Sequence, residues 1–260
     1  MMPHPSQAAN PANWPSARFF GGLGIAENMR VLDVGCGNGD LSRLVARLAG
    51  HGGEVVAVDR SEEALALARA TDSNSGSAPI HYCRAELSDD LRDLGKFDVI
   101  VGRRVLMYLP DAASTLVKLA KLAKPGAIVA FQEHARADLP PGLAKLALHR
   151  QLYDWVWETV AAEGGDVGLG SRLSDLMHAA GLTIEEARSE EIVIPSGEPS
   201  FLPTLARAML PRFVACGVAS LDEIGIETFA DRIEEERSAA DGAIVWDLAS
   251  LVSGRAGAHL

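Results

Sequence analysis

The chain has 260 residues, enough for one α/β domain with added elements and short for two independent domains. Hydrophobic residues make up 48% and charged residues 23%, the balance of a soluble globular protein able to bury a sizeable core. The formal net charge is −11, and Arg103-Arg104 is the only short basic pair, so a nucleic-acid partner held by its phosphates is not expected.

Cys36, Cys83 and Cys216 are widely spaced and form no CxxC or Cys/His pattern, so no metal is expected and a reducing cytoplasm is the simplest setting. The N-terminus lacks the basic start and apolar run of a secretory signal. No stretch approaches the roughly 20 apolar residues of a membrane span, so no membrane partner is expected.

Residues 1–20, with Pro3, Pro5, Pro11 and Pro15, are expected to form a flexible arm, which Trp14, Phe19 and Phe20 could dock onto the body. VLDV (31–34) predicts a strand running into a glycine turn, and DLSRLVARLAG (40–50) an amphipathic helix. EVVAVD (54–59) is the next strand, and Ser61 starts a helix over EEALALARA. TDSNSGSAP (71–79) is a loop. Strands follow at IHYCRA (80–85) and FDVIVG (97–102). Asp111 caps a helix to Lys124, closed by Pro125-Gly126, and AIVAFQE (127–133) is a further strand.

Beyond this the pattern is less regular. Helices are expected over 141–163, 171–180, 200–216 and 221–239, the last opened by a Ser220/Glu223 capping box. Strands are expected over about 183–194 and 243–252. Strand and helix in alternation imply a doubly wound, mostly parallel sheet with helices on both faces. Ligands of such sheets bind at the C-terminal strand edge, where the strand order switches.

The segment VLDVGCGNGD (31–40) carries the chemistry. Gly35, Gly37 and Gly39 lie between strand and helix, where glycine lets a ligand approach the backbone. Asp59 ends the next strand 20 residues after Gly39, the place for a carboxylate that accepts from ribose hydroxyls.

This segment resembles the first signature of class I, Rossmann-like methyltransferases dependent on S-adenosylmethionine (SAM), of the bacterial small-molecule type. VVAVDRS (55–61) is similar to their acidic second signature, and RAEL (84–87) to their adenine loop, with Glu86 where Asp is usual. FDVIVGRRVLMYLPD (97–111) and KPGAIVAFQE (124–133) resemble the later signatures. GLGSRLSDLMHAAGLTIEE (168–186) is similar to the tail of such enzymes. The resemblance implies a seven-stranded sheet, a SAM-binding core over 21–135, and a remainder over 136–260 with helical cap insertions at about 140–180 and 195–240. It implies SAM as cofactor, S-adenosylhomocysteine (SAH) as product, and a small-molecule methyl acceptor with an O, N or C nucleophile. Asp33, Gly35, Cys36, Gly37, Asn38 and Gly39 would hold the methionine part. Asp59 and Arg60 would take the ribose and flank the adenine, which Ala85, Glu86 and Leu87 would face. Gly102 and Arg103 would line the methionine end.

Methyl transfer needs a base only where the acceptor must lose a proton. His134, following the strand 127–133 with Glu133 beside it, is the candidate; its bland alternative is a pocket-lining residue. Arg103 is either a carboxylate partner or a surface charge. Tyr108 is a wall residue or sits over the methyl group. Tyr153 and Trp157, four apart on one helix, are an aromatic acceptor pocket or core packing, and that helix leaves a homodimer open. His149 and His178 are structural or exposed. Two alternatives share the glycine turn and Asp59: an NAD(P)-dependent oxidoreductase, although the glycines run GCGNG rather than GxGxxG, and a non-catalytic SAM-binding protein.

Overall fold

A computed structural model describes residues 13–72, 76–136, 143, 145–240 and 242–257. Seven strands form one sheet in the order β3-β2-β1-β4-β5-β7-β6. They are β1 (Arg30–Val34), β2 (Glu54–Asp59), β3 (Ile80–Arg84), β4 (Phe97–Arg103), β5 (Ala123–His134), β6 (Leu182–Ile194) and β7 (Ile244–Ala256). The first five are parallel, and β7 is antiparallel to both of its neighbours. The central strands are continuous apolar runs because both faces are covered by helices.

Helices α1 (Trp14–Gly22), α2 (Asp40–Ala49), α3 (Glu62–Thr71), α4 (Ala112–Ala120), α5 (Ala147–Ala162), α6 (Leu169–Ala179), α7 (Leu202–Ala215), α8 (Leu221–Ile224) and α9 (Ile226–Ser238) connect or cover the strands. Right-handed crossovers put α2 and α3 on one face and α4 on the other. Helix α1 joins α2, and α6 joins α4 while touching β5, β6 and β7. Local signals set the helix starts: Ser61 accepts from Ala64 N–H at 3.2 Å, and Asp111 from Ser114 N–H at 2.9 Å. The Ser220/Glu223 capping box forms.

The structure corrects four expectations. The helix predicted to reach Lys124 stops at Ala120, and Pro125-Gly126 lies within β5, where the register against β4 shifts between Phe97 and Val99. The helix over 221–239 is broken at Gly225, whose φ of +55° ends α8 and starts α9. The first cap insertion is shorter than 140–180, because α6 packs on the sheet and only α5 joins α7 and α9. The arm expected over residues 1–20 does not extend through 14–20: Trp14–Gly22 is helix, with Ser16, Phe19 and Phe20 buried. Burial of Phe19 and Phe20 in the shared apolar cluster ties this helix to the body. Residues 1–12 lie outside the described residues.

Sheet, α1 and cap share one buried apolar cluster, running from Phe20 through Phe131 to Phe229. Phe20→Ala is expected to destabilise the protein by about 3–5 kcal/mol, the cost of truncating a buried aromatic ring. Urea unfolding reads this as a lower midpoint at unchanged slope, and a loss below about 1 kcal/mol would mean that α1 is peripheral.

Candidate active site

Strand order reverses at β1, so the loops after β1 and β4 part and open a crevice over the strand ends. A cavity of about 610 Å³ occupies it. Its floor is Asp33, Gly35, Cys36, Gly37, Asn38 and Asp59, and one wall is Arg103, Arg104, Met107, Tyr108 and His134. The roof comes from the cap: Val156, Trp157 and Val160 on α5, and Leu205, Ala208, Met209 and Arg212 on α7, with Ile192, Phe201, Trp246 and Asp247 beside them. A neighbouring cavity of about 310 Å³ shares Gly35, Asp59, Arg104 and Tyr108 and is walled by Arg60, Ala85, Glu86, Leu87, Val105 and Leu109.

The glycine turn follows from its contacts. Gly35 has φ +66°, and a Cβ there would fall 2.3 Å from Val105 Cγ2. Gly37 has φ +53° and faces open space on the cavity side. Its N–H donates to Asp59 Oδ2 at 2.8 Å, and Ser61 N–H donates to Oδ1 at 2.9 Å. Each oxygen of Asp59 keeps a second lone pair. Asp33 is buried; Ser42 Oγ donates to its Oδ2 at 2.6 Å, and Oδ1 has no partner among the described residues. Burial pushes its carboxyl up to about 7. Burial also pushes the Cys36 thiol up, as fits a small residue of the turn.

Two glycines expected at the ligand lie elsewhere. Gly39 is behind the loop, where a Cβ would fall 2.7 Å from the Tyr82 hydroxyl. A Cβ on Gly102 would fall 2.5 Å from Phe131 Cε1, so this glycine makes room for a buried ring and lines neither cavity. The surface-charge alternative for Arg103 does not hold. Its side chain is 12% exposed, and Nη1 donates to Asn13 Oδ1 at 2.9 Å and Ser16 Oγ at 3.4 Å. Burial draws it down to about 10, which leaves it charged at neutral pH.

Alternation along β5 separates its last residues. Gln132 and His134 share one face, and Glu133 is on the other. Glu133 therefore does not adjoin the histidine ring: its Oε1 accepts from Val105 N–H at 2.9 Å and Leu106 N–H at 2.8 Å. It holds the turn in which Arg104 adopts φ +54° and from which Tyr108 projects into both cavities. His134 Nδ1 lies 2.7 Å from Asp247 Oδ2, and both residues line the larger cavity.

The two aromatic candidates on α5 part company. Trp157 lines the cavity; Tyr153 is core, packed edge-on against Trp246 at 5.6 Å and Trp157 at 6.2 Å. Tyr153, Trp155 and Trp157 are all buried within the chain, so this helix does not offer an aromatic dimer face. His149 is also buried, its Nδ1 2.7 Å from Glu236 Oε2. Asp247, Arg104, Arg212 and the α7 residues were missed. An aspartate inside the apolar run VWDLASLV was the available signal for the first, because buried polar residues are rare without a partner; α7 carries no comparable mark.

Among the described residues no group of three or more His, Cys, Asp and Glu is placed to hold a metal, and no helix is long and apolar enough to cross a membrane. The sheet order, with a glycine turn after β1 and an acid at the end of β2, is that of a doubly wound α/β protein. A family described as a methyltransferase domain matches residues 25–186, more than half of the chain, and the chain belongs to that family. The oxidoreductase alternative finds no support. The chain is 36% identical over 104 residues to a ubiquinone biosynthesis O-methyltransferase of Rhizobium rhizogenes, covering 40% of each. It is 39% identical over 103 residues to the protein of that name in Aromatoleum aromaticum, covering 39% of this chain and 42% of that one. The match thus spans about two fifths of these relatives. Two solved structures share the fold. One is a Bacillus halodurans protein provisionally described as a methyltransferase, with TM-score 0.60 and 15% identity over 93% of this chain and 98% of that one. The other is the YcgJ protein of Bacillus subtilis, with TM-score 0.58 and 14% identity over 95% and 98%.

Burial pushes the Glu133 carboxyl up to about 7, and its Oε2 has no partner among the described residues. The folded protein then holds a proton that the unfolded chain releases near its ordinary value of 4.5. Stability contributed by this proton is full below about 4.5 and is lost as pH rises through about 7. Relative to wild type, Glu133→Gln is expected to gain on the order of 3 kcal/mol between pH 4.5 and pH 8. Urea unfolding across that range checks it, and a pH-independent difference would contradict it.

Proposed function

We propose that this protein transfers the methyl group of SAM to a hydroxyl oxygen of a small molecule with an apolar body. The observation that carries the reading is a cavity with a nucleoside-type carboxylate and glycine turn at one end and a buried His–Asp pair under an apolar roof at the other.

The residues present fit SAM. The unpartnered, buried Asp33 Oδ1 suits an ammonium group, and the buried guanidinium of Arg103 suits a carboxylate. Gly37 leaves open space, and Asp59 has lone pairs for two hydroxyls. Ala85, Leu87, Val105 and Leu109 offer apolar walls for a base, with Arg60 and Glu86 at the exposed rim. Bound there, SAM supplies a methyl group on a good leaving group. The chain's part is to position the acceptor, exclude water and take a proton.

A neutral amine attacks with its own lone pair and needs no base, whereas a hydroxyl must shed its proton as the bond forms. His134 would accept that proton at Nε2, with Asp247 steadying the ring through Nδ1. The roof side chains Trp157, Phe201, Leu205, Met209 and Trp246 would bury a hydrocarbon or aromatic body. The relatives named as O-methyltransferases support the same atom as acceptor.

Calorimetric titration with SAH is expected to show binding to wild type and at least about tenfold weaker binding to Asp59→Ala, which loses charged hydrogen bonds. NADH is expected not to bind; NADH binding without SAH binding would overturn the reading. With methyl-labelled SAM and a panel of phenols, His134→Gln is expected to lower kcat by about 10²–10⁴-fold at unchanged SAH affinity. Equal rates for His134→Gln and wild type would remove the base.

A further inference from the structure

We propose that Ser16 and Gln132 are positioning residues that keep the ring proton of His134 on Nδ1, toward Asp247, and leave a lone pair on Nε2. The inference rests on the reading of His134 as a base.

It follows from donor and acceptor logic that begins at Arg103. A guanidinium only donates. Arg103 Nη1 reaches Ser16 Oγ at 3.4 Å, so it occupies a lone pair of that hydroxyl. Ser16 Oγ lies 2.6 Å from Gln132, a separation that fits O–H···O rather than N–H···O, so its proton is donated to the amide oxygen Oε1. The NH₂ of Gln132 therefore faces the other way, where it lies 3.4 Å from His134 Nε2. A donor there calls for a lone pair on Nε2, so the ring proton is on Nδ1, directed at Asp247 Oδ2.

Asp247 alone would accept a proton from either neutral or doubly protonated imidazole. Gln132 disfavours a proton on Nε2, which would set donor against donor. Ser16, Gln132, His134 and Asp247 are 2%, 1%, 6% and 7% exposed. The other charged groups lining the cavity with His134 and Asp247 are Asp33, Asp40, Asp59, Arg103, Arg104 and Arg212. On α6, Gly170 lies against the His134 backbone, where a Cβ would fall 2.6 Å from its carbonyl carbon. The Gln132–His134 contact, at 3.4 Å, is the one an incoming hydroxyl would replace. Ser16 makes α1 part of this arrangement, although among α1 residues none lines the cavity.

Nitrogen-15 NMR of histidine-labelled protein reads both ring nitrogens directly, with His134→Gln assigning the signals. Spectra near pH 7.5, without cofactor and with SAH, are expected to show wild-type His134 protonated on Nδ1 only. In Gln132→Glu a carboxylate faces Nε2, and in Ser16→Ala the amide is free to turn its oxygen there. Both variants are expected to show Nε2 protonated. A wild-type ring carrying a proton on Nε2, or variants identical to wild type, would overturn the proposal. The wild-type spectrum decides even where a variant fails to fold. Because the signals do not require SAH, failure of SAH to bind would fault the methyltransferase reading and leave the relay standing.

Discussion

The reversal of strand order at β1 is the constraint on which the site depends. With β2 on one side and β4 on the other, the chain leaves β1 in one direction and β4 in the opposite one. The gap so formed cannot be closed by either loop, and it exposes the strand ends that carry Asp33, Asp59 and Arg103. The antiparallel insertion of β7 adds a second consequence. Its beginning lies at the edge where β5 ends, with His134 opposite Ala249. Asp247 is two residues before Ala249 and so shares its face. A wholly parallel sheet would have put that carboxylate at the far edge.

Two adjacent residues of β5 divide the work between the faces of the sheet. Glu133 braces the Val105–Leu106 turn and His134 faces the cavity, so the wall that carries Tyr108 and the candidate base are set by one strand end. Burying a carboxyl costs several kcal/mol unless its charge is relieved. At Glu133 and Asp33 the relief is a retained proton, and at Asp247 it is a histidine. These groups are spent on geometry rather than on stability, which the continuous apolar cluster supplies.

Much of the frame was legible because its signals are local. Hydrophobic runs bounded by Gly or Pro gave the first five strands, and Ser61, Asp111 and Ser220 marked helix starts. The turn at 35–38 and the acid at Asp59 were legible at the crevice because backbone geometry and position at a strand terminus place them there. The misses have non-local causes. Gly102 reads as a ligand glycine, and only the placement of Phe131 shows what its missing side chain accommodates. Arg103 reads equally as a carboxylate partner or a surface charge, and only α1, whose start is masked by prolines in the sequence, shows that it is covered. Tyr153 and Trp157 have the same spacing signal, and the packing of Trp246 decides which of them reaches the cavity. The pairing of His134 with Asp247 spans 113 residues and depends on strand register.

The central claim is that one cavity joins the nucleoside end to the His134–Asp247 pair. A crystal structure of the protein with bound SAH tests it most directly. The account predicts ribose hydroxyls on Asp59 and a sulfur that opens toward His134 beneath Trp157 and Met209. SAH seated with its sulfur turned away from His134, or bound outside the crevice, would contradict it.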